Sequence, residues 1–184
     1  EEALHIIDLG TGTGALADRV IHRFKKCSLT CLDMTIEMLD KARLRLGDRT
    51  NVTYLQKDFY DLEIPEGIDA AISSLALHHL ITDDDKRSFY AKVHRSLRPG
   101  GVFVNADAVL STDDWVEDLY MRKWTDFMRI RMDEEGGRTV LERYLREDSL
   151  PCLMDQLRWL TEVGFSKVDV IWKDHMGAVV WARK

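Results

Sequence analysis

Residues 8–14, Asp-Leu-Gly-Thr-Gly-Thr-Gly, put a glycine at every second position between a short apolar run (3–9) and a segment of helical period (14–25). A chain that leaves a strand, turns on bare backbone and enters a helix at once is building a βα unit. The alternation continues, with apolar runs at 28–34, 51–57, 68–74 and 101–109 separated by helical-period segments at 35–47 and 83–97. It predicts five parallel strands joined by right-handed crossovers. The helix after Thr35 is expected to turn Ile36, Leu39, Ala42 and Leu46 inward and to end in a left-handed cap at Gly47. Arg98-Pro99-Gly100-Gly101 is expected to stop the 83–97 helix and turn the chain into the fifth strand.

After residue 110 the pattern changes. Thr112 is read as the cap of a helix whose early turns carry Asp113, Asp114, Glu117 and Asp118 and whose later turns carry Arg122, Lys123, Arg129 and Arg131, the polarity that suits a helix dipole. Trp115, Leu119, Trp124, Phe127 and Met128 form its apolar face, expected to be helix core before anything else. A break at Glu134–Gly137, a short helix near 138–147 and a longer one near 150–162 ending at Gly164 follow. The last twenty residues read as two antiparallel strands around a short turn containing Gly177.

At 184 residues and 45% hydrophobic the chain is one domain's worth of core, and 1–184 is taken as a single domain. Its start in an apolar run by residue 3 is compatible with a domain excerpt or with a complete short protein. A net charge of −6 and a pI near 5.5 weigh against a broad nucleic-acid surface, although the basic residues at 122–131 leave transfer RNA open. Cys27 and Cys31 lie four apart on one strand, too far to bridge, and the cysteine spacing has no zinc pattern. With no long apolar span, a reduced cytoplasmic setting is expected and a membrane is not. Monomer and homodimer both remain open.

The glycines fit two templates, Gly10-x-Gly12-x-Gly14 and the dinucleotide fingerprint Gly10-x-Gly12-x-x-Ala15. Asp8 separates them. A carboxylate at the mouth of such a loop would oppose a pyrophosphate by about 4 kcal/mol at 4 Å and an effective dielectric of 20, and would favour a cationic nucleoside such as S-adenosylmethionine. At this point the chain resembles the class I S-adenosylmethionine-dependent methyltransferases, over about residues 3–109 with the final hairpin in support. The resemblance implies a three-layer Rossmann-like α/β fold, doubly wound and mostly parallel with a C-terminal antiparallel hairpin. It implies that Asp8, Gly10, Thr11, Gly12 and Gly14 wrap the methionine end of the cofactor. Asp33 in Cys-Leu-Asp-Met-Thr would accept from the ribose hydroxyls, Met34 would pack on the adenine, Asp58 would accept from the adenine amine and Phe59 would flank the ring. Leu-Arg-Pro-Gly-Gly at 97–101 is a further landmark.

Methyl transfer from a sulfonium needs positioning and exclusion of water, and a base only when the acceptor must lose a proton. Ligands of open parallel sheets sit at the carboxyl ends of the strands, which brings forward Ser73, Ser74, His78 and His79 after the fourth strand and Asp107 at the end of the fifth. Adjacent histidines are not expected to face one pocket together. His78 and Asp107 are the catalytic candidates, Ser74 a cofactor contact, and Tyr120, Tyr144, Trp172 and His175 weaker acceptor-site candidates. The 111–148 insertion is expected to shape the acceptor pocket. No metal site is expected. The fourth strand lacks the Asn/Asp-Pro-Pro-aromatic motif that grips a flipped base, which favours a small-molecule acceptor. Three alternatives stand beside this reading: a transfer-RNA-modifying relative, a non-catalytic cofactor-binding protein, and a nicotinamide-dependent oxidoreductase.

Overall fold

The computed structural model describes residues 3–133, 135–137, 139–140 and 149–184. Its centre is a seven-stranded sheet in the order β3-β2-β1-β4-β5-β7-β6. Strands β1 (Leu4–Leu9), β2 (Cys27–Asp33), β3 (Val52–Gln56), β4 (Ile68–Ser74) and β5 (Leu97–Ala108) are parallel. β7 (Gly177–Arg183) runs antiparallel to β5, and β6 (Lys167–Asp174) antiparallel to β7. Among the described residues the named helices are α1 (Ala15–Arg23), α2 (Ile36–Leu46), α3 (Asp83–Ser96), α4 (Asp114–Arg131) and α5 (Leu153–Glu162), with a 3-10 turn at Leu77–His79; residues 135–137 and 139–140 are also helical.

Because both faces of the sheet are covered, the central strands bury side chains on both sides. Ile7 and Leu9 of β1 join Phe89, Val93, Phe103, Trp159 and Leu160 in one core cluster, on the side of α3 and α5. Ile6 joins Ala17, Ile21, Leu29 and Leu46 in the other, on the side of α1 and α2. α3 starts at a reciprocal capping box, Thr82 with Asp85, and carries three aspartates in its first turn with His94 and Arg95 in its last. The strand order reverses between β1 and β4, so a crevice opens there at the carboxyl ends.

Several boundaries differ from expectation, each for a local reason. β5 begins at Leu97, which pairs with Ile68, and the Arg-Pro-Gly-Gly stretch is absorbed as a register shift before Val102 pairs with Ala70. Ile36 is 40% exposed because α2 packs only through Leu39, Ala42 and Leu46. Gly47 has a positive φ of 69° but an extended ψ, so the chain leaves α2 without a left-handed cap. Asp113, not Thr112, caps α4 by accepting from the Val116 amide. Of the α4 apolar face only Met128 is buried, and Trp115 and Phe127 stand in solvent. The hairpin turn is His175-Met176, with His175 taking the positive φ, and Gly177 already belongs to β7. The expected break at Glu134–Gly137 is not seen where it is described: 135–137 are helical, the Gly137 amide donating to Asp133 O at 3.0 Å, while Glu134 and most of the expected 138–147 helix, with Tyr144, lie outside the described residues.

Phe103 sits fully buried on β5, its ring 5.8 Å from that of Tyr90 and 6.1 Å from that of Phe165. Phe103→Ala is expected to cost about 3–5 kcal/mol, read as a lower urea midpoint with an unchanged slope.

Candidate active site

The glycine loop is pinned from below and from the side. Asp8 is 1% exposed and lies beneath the loop, not at its mouth, because the end of β1 points it toward the first turn of α1. Its carboxylate accepts from Thr11 Oγ1 at 2.6 Å and from the Ala17 amide. The Thr11 amide donates to Leu32 O at 2.7 Å, and the Gly14 amide to Thr11 O at 2.8 Å. Burial raises the Asp8 carboxyl to about 6, reinforced by the nearby charge of Asp33 and opposed by the Thr11 and Ala17 hydrogen bonds. Asp33 closes the loop from the end of β2: one oxygen accepts from the Gly12 amide at 2.9 Å, the other from the Thr35 amide and hydroxyl, each at 3.0 Å. Thr35 is thus tied back to Asp33 instead of capping α2.

Two glycines are required for different reasons. Gly10 has φ +75°, and a Cβ there would lie 2.3 Å from Ala76 Cβ, so the loop can cross the β4 exit only without a side chain. Gly12 has φ +51° and no heavy atom within 4 Å of where its Cβ would be, so its backbone borders open space. Met34, which follows Asp33, is 61% exposed, and Asp58, just past the end of β3, is half-buried, its carboxylate accepting from the Tyr60 amide at 3.0 Å. Phe59 packs chiefly on the core, 5.1 Å from the Phe89 ring, with its edge toward Gly10. Ser73 is committed to the frame, donating to Leu9 O at 2.8 Å.

Beside the loop, past Ser74, lies a cavity of about 650 Å³. The structure unites here the two residues that the sequence offered separately. His78 and Asp107 are both buried, and His78 Nδ1 lies 2.7 Å from Asp107 Oδ1. Asp107 Oδ1 also accepts from the Ala108 amide at 2.9 Å. With the proton on Nδ1, His78 donates to Asp107, which fixes the tautomer and leaves Nε2 as the basic nitrogen. The 3-10 turn brings His79 to the same cavity, its ring 4.3 Å from that of His78, contrary to the expectation that only one histidine faces it. Trp124 and Trp172 form walls. Tyr120 and His175 are not among the described lining residues, and Lys173 Nζ donates to Tyr120 Oη at 2.6 Å. A larger depression, bordered by His5, Lys26 and an Arg98–Asp69 pair, opens at the opposite, amino ends of the strands.

Sequence reasoning missed Lys86. It is 1% exposed, and its Nζ donates to Leu80 O at 2.6 Å and to Ser149 Oγ at 3.0 Å. Ser149 in turn donates its hydroxyl to Ile81 O at 2.6 Å and its amide to His78 O at 3.0 Å. The pair clamps the turn that carries His78. Burial holds the Lys86 ammonium below its usual value, against the pull of Asp83, Asp85 and Asp107. A signal existed: Lys86 occupies the apolar stripe of α3 with Phe89, Tyr90 and Val93.

A family profile described as a methyltransferase domain matches residues 6–101, from β1 into the start of β5. The chain belongs to this methyltransferase-domain family. An uncharacterized methyltransferase of Bacillus thuringiensis is 32% identical over 110 residues, covering 60% of this chain and 50% of the relative. The chain thus spans about half the length of the curated relatives it matches. Among solved structures, an S-adenosylmethionine-dependent methyltransferase from Mesorhizobium loti superposes with a TM-score of 0.69 at 23% identity, over 100% of this chain and 92% of that one. Human N-acetylserotonin methyltransferase in complex with S-adenosylmethionine superposes with 0.67 at 20% identity, over 98% and 47%. These likenesses show that the chain has the Rossmann-like fold of those structures, with its own β7 antiparallel to β5. Membership also separates the chain from nicotinamide-dependent oxidoreductases, the alternative that left Asp8 without a role. No helix among the described residues of this methyltransferase domain is long and apolar enough to cross a membrane, and no group of three or more His, Cys, Asp or Glu among them is placed to hold a metal.

Gly10→Ala is expected to lose roughly 2–5 kcal/mol, from the left-handed backbone and the clash with Ala76, whereas Gly12→Ala loses only about 1–2 kcal/mol from the backbone. Urea denaturation of the two variants measures the difference. The raised Asp8 carboxyl means that the folded chain holds this proton more tightly than the unfolded one. Its contribution is fully present below about pH 4 and is lost as pH rises through about 6. Relative to Asp8→Asn, the wild type is expected to lose about 2 kcal/mol between pH 4.5 and 7.5, read from urea midpoints at both values.

Proposed function

We propose that this chain transfers a methyl group from S-adenosylmethionine to a small-molecule acceptor that gives up a proton to His78. The observation that carries the reading is the buried His78–Asp107 pair, 2.7 Å apart, on a cavity that adjoins the glycine loop at the carboxyl ends of β4 and β5.

The residues present suit the cofactor. The bare backbone of Gly12 borders open space, Asp33 holds a carboxylate at the rim of the loop, and Met34 offers an exposed thioether beside it. In this reading Gly10, Thr11, Gly12 and Gly14 supply the backbone wall for the methionine end. Asp33 accepts from the ribose hydroxyls, exchanging its Gly12 amide for them. Met34 and the edge of Phe59 border the adenine, Asp58 accepts from its amine, and Ser74 lies where the cofactor and acceptor sites meet. Asp8 acts through the loop, which it holds in shape. When bound, the cofactor supplies a methyl carbon activated by its sulfonium, so that an incoming lone pair forms the new bond as the carbon–sulfur pair departs with sulfur.

The work left to the protein is orientation and proton removal. In this reading His78 takes the acceptor proton, and Asp107, bonded to Nδ1, stabilises the imidazolium that results. Lys86 and Ser149 keep the turn bearing His78 from shifting.

His78→Gln is expected to lower turnover by about 10²- to 10⁴-fold while leaving calorimetric affinity for S-adenosylhomocysteine within about twofold of wild type, with Asp107→Asn reducing turnover in the same sense. Equal loss of affinity and turnover would place His78 in cofactor binding, and no loss of turnover would remove it from the chemistry.

A further inference from the structure

Resting on the cofactor reading, we propose that Tyr60 is a positioning residue that couples the nucleoside end of the site to the turn bearing His78: a donor arriving at Asp58 stiffens that turn through the Tyr60 hydroxyl.

At Ile81, just past the 3-10 turn, the backbone is held by hydrogen bonds and not by packing. The Ile81 side chain is 69% exposed and buries too little surface to fix its own residue. Side chains from elsewhere fix it instead. Leu80 O accepts from Lys86 Nζ at 2.6 Å, and Ile81 O accepts from Ser149 Oγ at 2.6 Å. The Ile81 amide donates to Tyr60 Oη at 3.2 Å, and the Thr82 amide to Asp85 Oδ2 at 3.0 Å. Tyr60 Oη passes its own proton to that same Asp85 oxygen, at 3.2 Å. The phenol therefore acts once as acceptor and once as donor, and phenylalanine would supply neither function.

Tyr60 comes from the connection between β3 and β4, and its neighbours there are fastened to α3. The Phe59 ring lies 5.1 Å from that of Phe89, and Lys92 Nζ donates to Leu62 O at 2.6 Å and to Phe59 O at 3.4 Å. Tyr60 itself is 50% exposed and is tied at two points, its hydroxyl and its amide, the amide donating to Asp58 Oδ1 at 3.0 Å. Among the described residues no hydrogen bond is made to the other oxygen, Asp58 Oδ2. In the cofactor reading Asp58 accepts from the adenine amine. A carboxylate bonded through both oxygens loses the freedom to turn away from the Tyr60 amide, so the ligand steadies Tyr60 inside a frame that is already rigid.

From Ile81 the series continues to His78. Ser149, whose hydroxyl holds Ile81 O, donates its amide to His78 O at 3.0 Å, and Lys86 Nζ donates to Ser149 Oγ at 3.0 Å. Asp58, Tyr60, Ile81, Ser149 and His78 thus form an unbroken run of hydrogen bonds from the end of β3 to the turn after β4. Its two-state element is the Ile81–Tyr60 bond, made or open. That bond lies at the surface, where local opening costs little, so a ligand that favours one state shifts the balance. The turn is then most firmly set for an acceptor once the nucleoside is in place.

The test follows exchange of the Ile81 and Ser149 amides by NMR in the wild type and in Tyr60→Phe, with and without saturating S-adenosylhomocysteine, while calorimetry establishes occupancy. The nucleoside is expected to slow Ile81 exchange about tenfold in the wild type and to shift the Ser149 amide resonance, and Tyr60→Phe is expected to bind it and lose both responses. A merely structural Tyr60 would speed Ile81 exchange equally with and without nucleoside, leaving the ligand-induced slowing intact, and that result overturns the proposal. Loss of nucleoside binding in Tyr60→Phe overturns it too, because Tyr60 would then belong to the binding surface. The wild type alone gives a further check: nucleoside bound with Ile81 exchange unchanged sinks the coupling, whereas failure to bind the nucleoside sinks the cofactor reading beneath it.

Discussion

Asp8 places a carboxylate under the glycine loop, where Thr11 Oγ1 and the Ala17 amide donate to it, and this buried contact decides the shape of everything above it. It joins the end of β1 to the start of the loop and to the first turn of α1. Without such an acceptor, the amides at the α1 N-terminus would turn inward with no partner, since Gly14 caps the helix with no side chain. The loop can then be made of glycines, which have little conformational preference of their own, and still hold one path. Gly10 passes over Ala76 because of it, and Gly12 reaches Asp33.

The sheet order turns this local arrangement into a site. β1 and β4 are neighbours although they are separated in sequence by two βα units, so the loop after β1 and the turn after β4 meet across the crevice. β4 and β5 are in register from Ala70 with Val102 to Ser74 with Ala106, and the Leu75 amide extends the ladder to Ala106 O. Leu75 then takes a positive φ of 53° and the 3-10 turn folds back, setting His78 beside Asp107, one residue further along β5. The His78–Asp107 pair is therefore a product of strand register and one sharp reversal, and both residues are held by hydrogen bonds within the protein.

Much of this was legible in the sequence because parallel βα folds write their elements as long, strongly periodic segments. The five strands, the first three helices and the terminal hairpin fall within a few residues of their expected bounds. His78 and Asp107 were each identifiable as lying at a strand's carboxyl end. Their pairing was not, since it depends on the register between β4 and β5 and on a turn whose conformation comes from packing. Asp8 was assigned to the mouth of the loop because its charge was considered without its burial. On α4 the helical period was correct and the inference of a buried face was not, because periodicity gives the relation among side chains but not what covers them. Trp172 reaches the cavity past a register shift after Val170 of β6, and a single extra residue on a strand leaves no periodic trace.

The two ends of the site use charge in opposite ways, and this ties stability to function. Below the loop, Asp8 and Asp33 repel each other, and part of the cost of keeping Asp8 buried is carried as a carboxyl raised to about 6. A cation arriving above Gly12 would be attracted to both and would favour the ionised form of Asp8, so occupancy would relieve a strain that the folded chain otherwise bears near neutral pH. At the other end, the Asp107 carboxylate is already matched to an imidazole, 2.7 Å from His78 Nδ1, so a proton delivered there in the proposed reaction would complete an ion pair in place. In the proposed reaction, positive charge lost from sulfur would be replaced by a proton on His78, with no charged group required to move between the two.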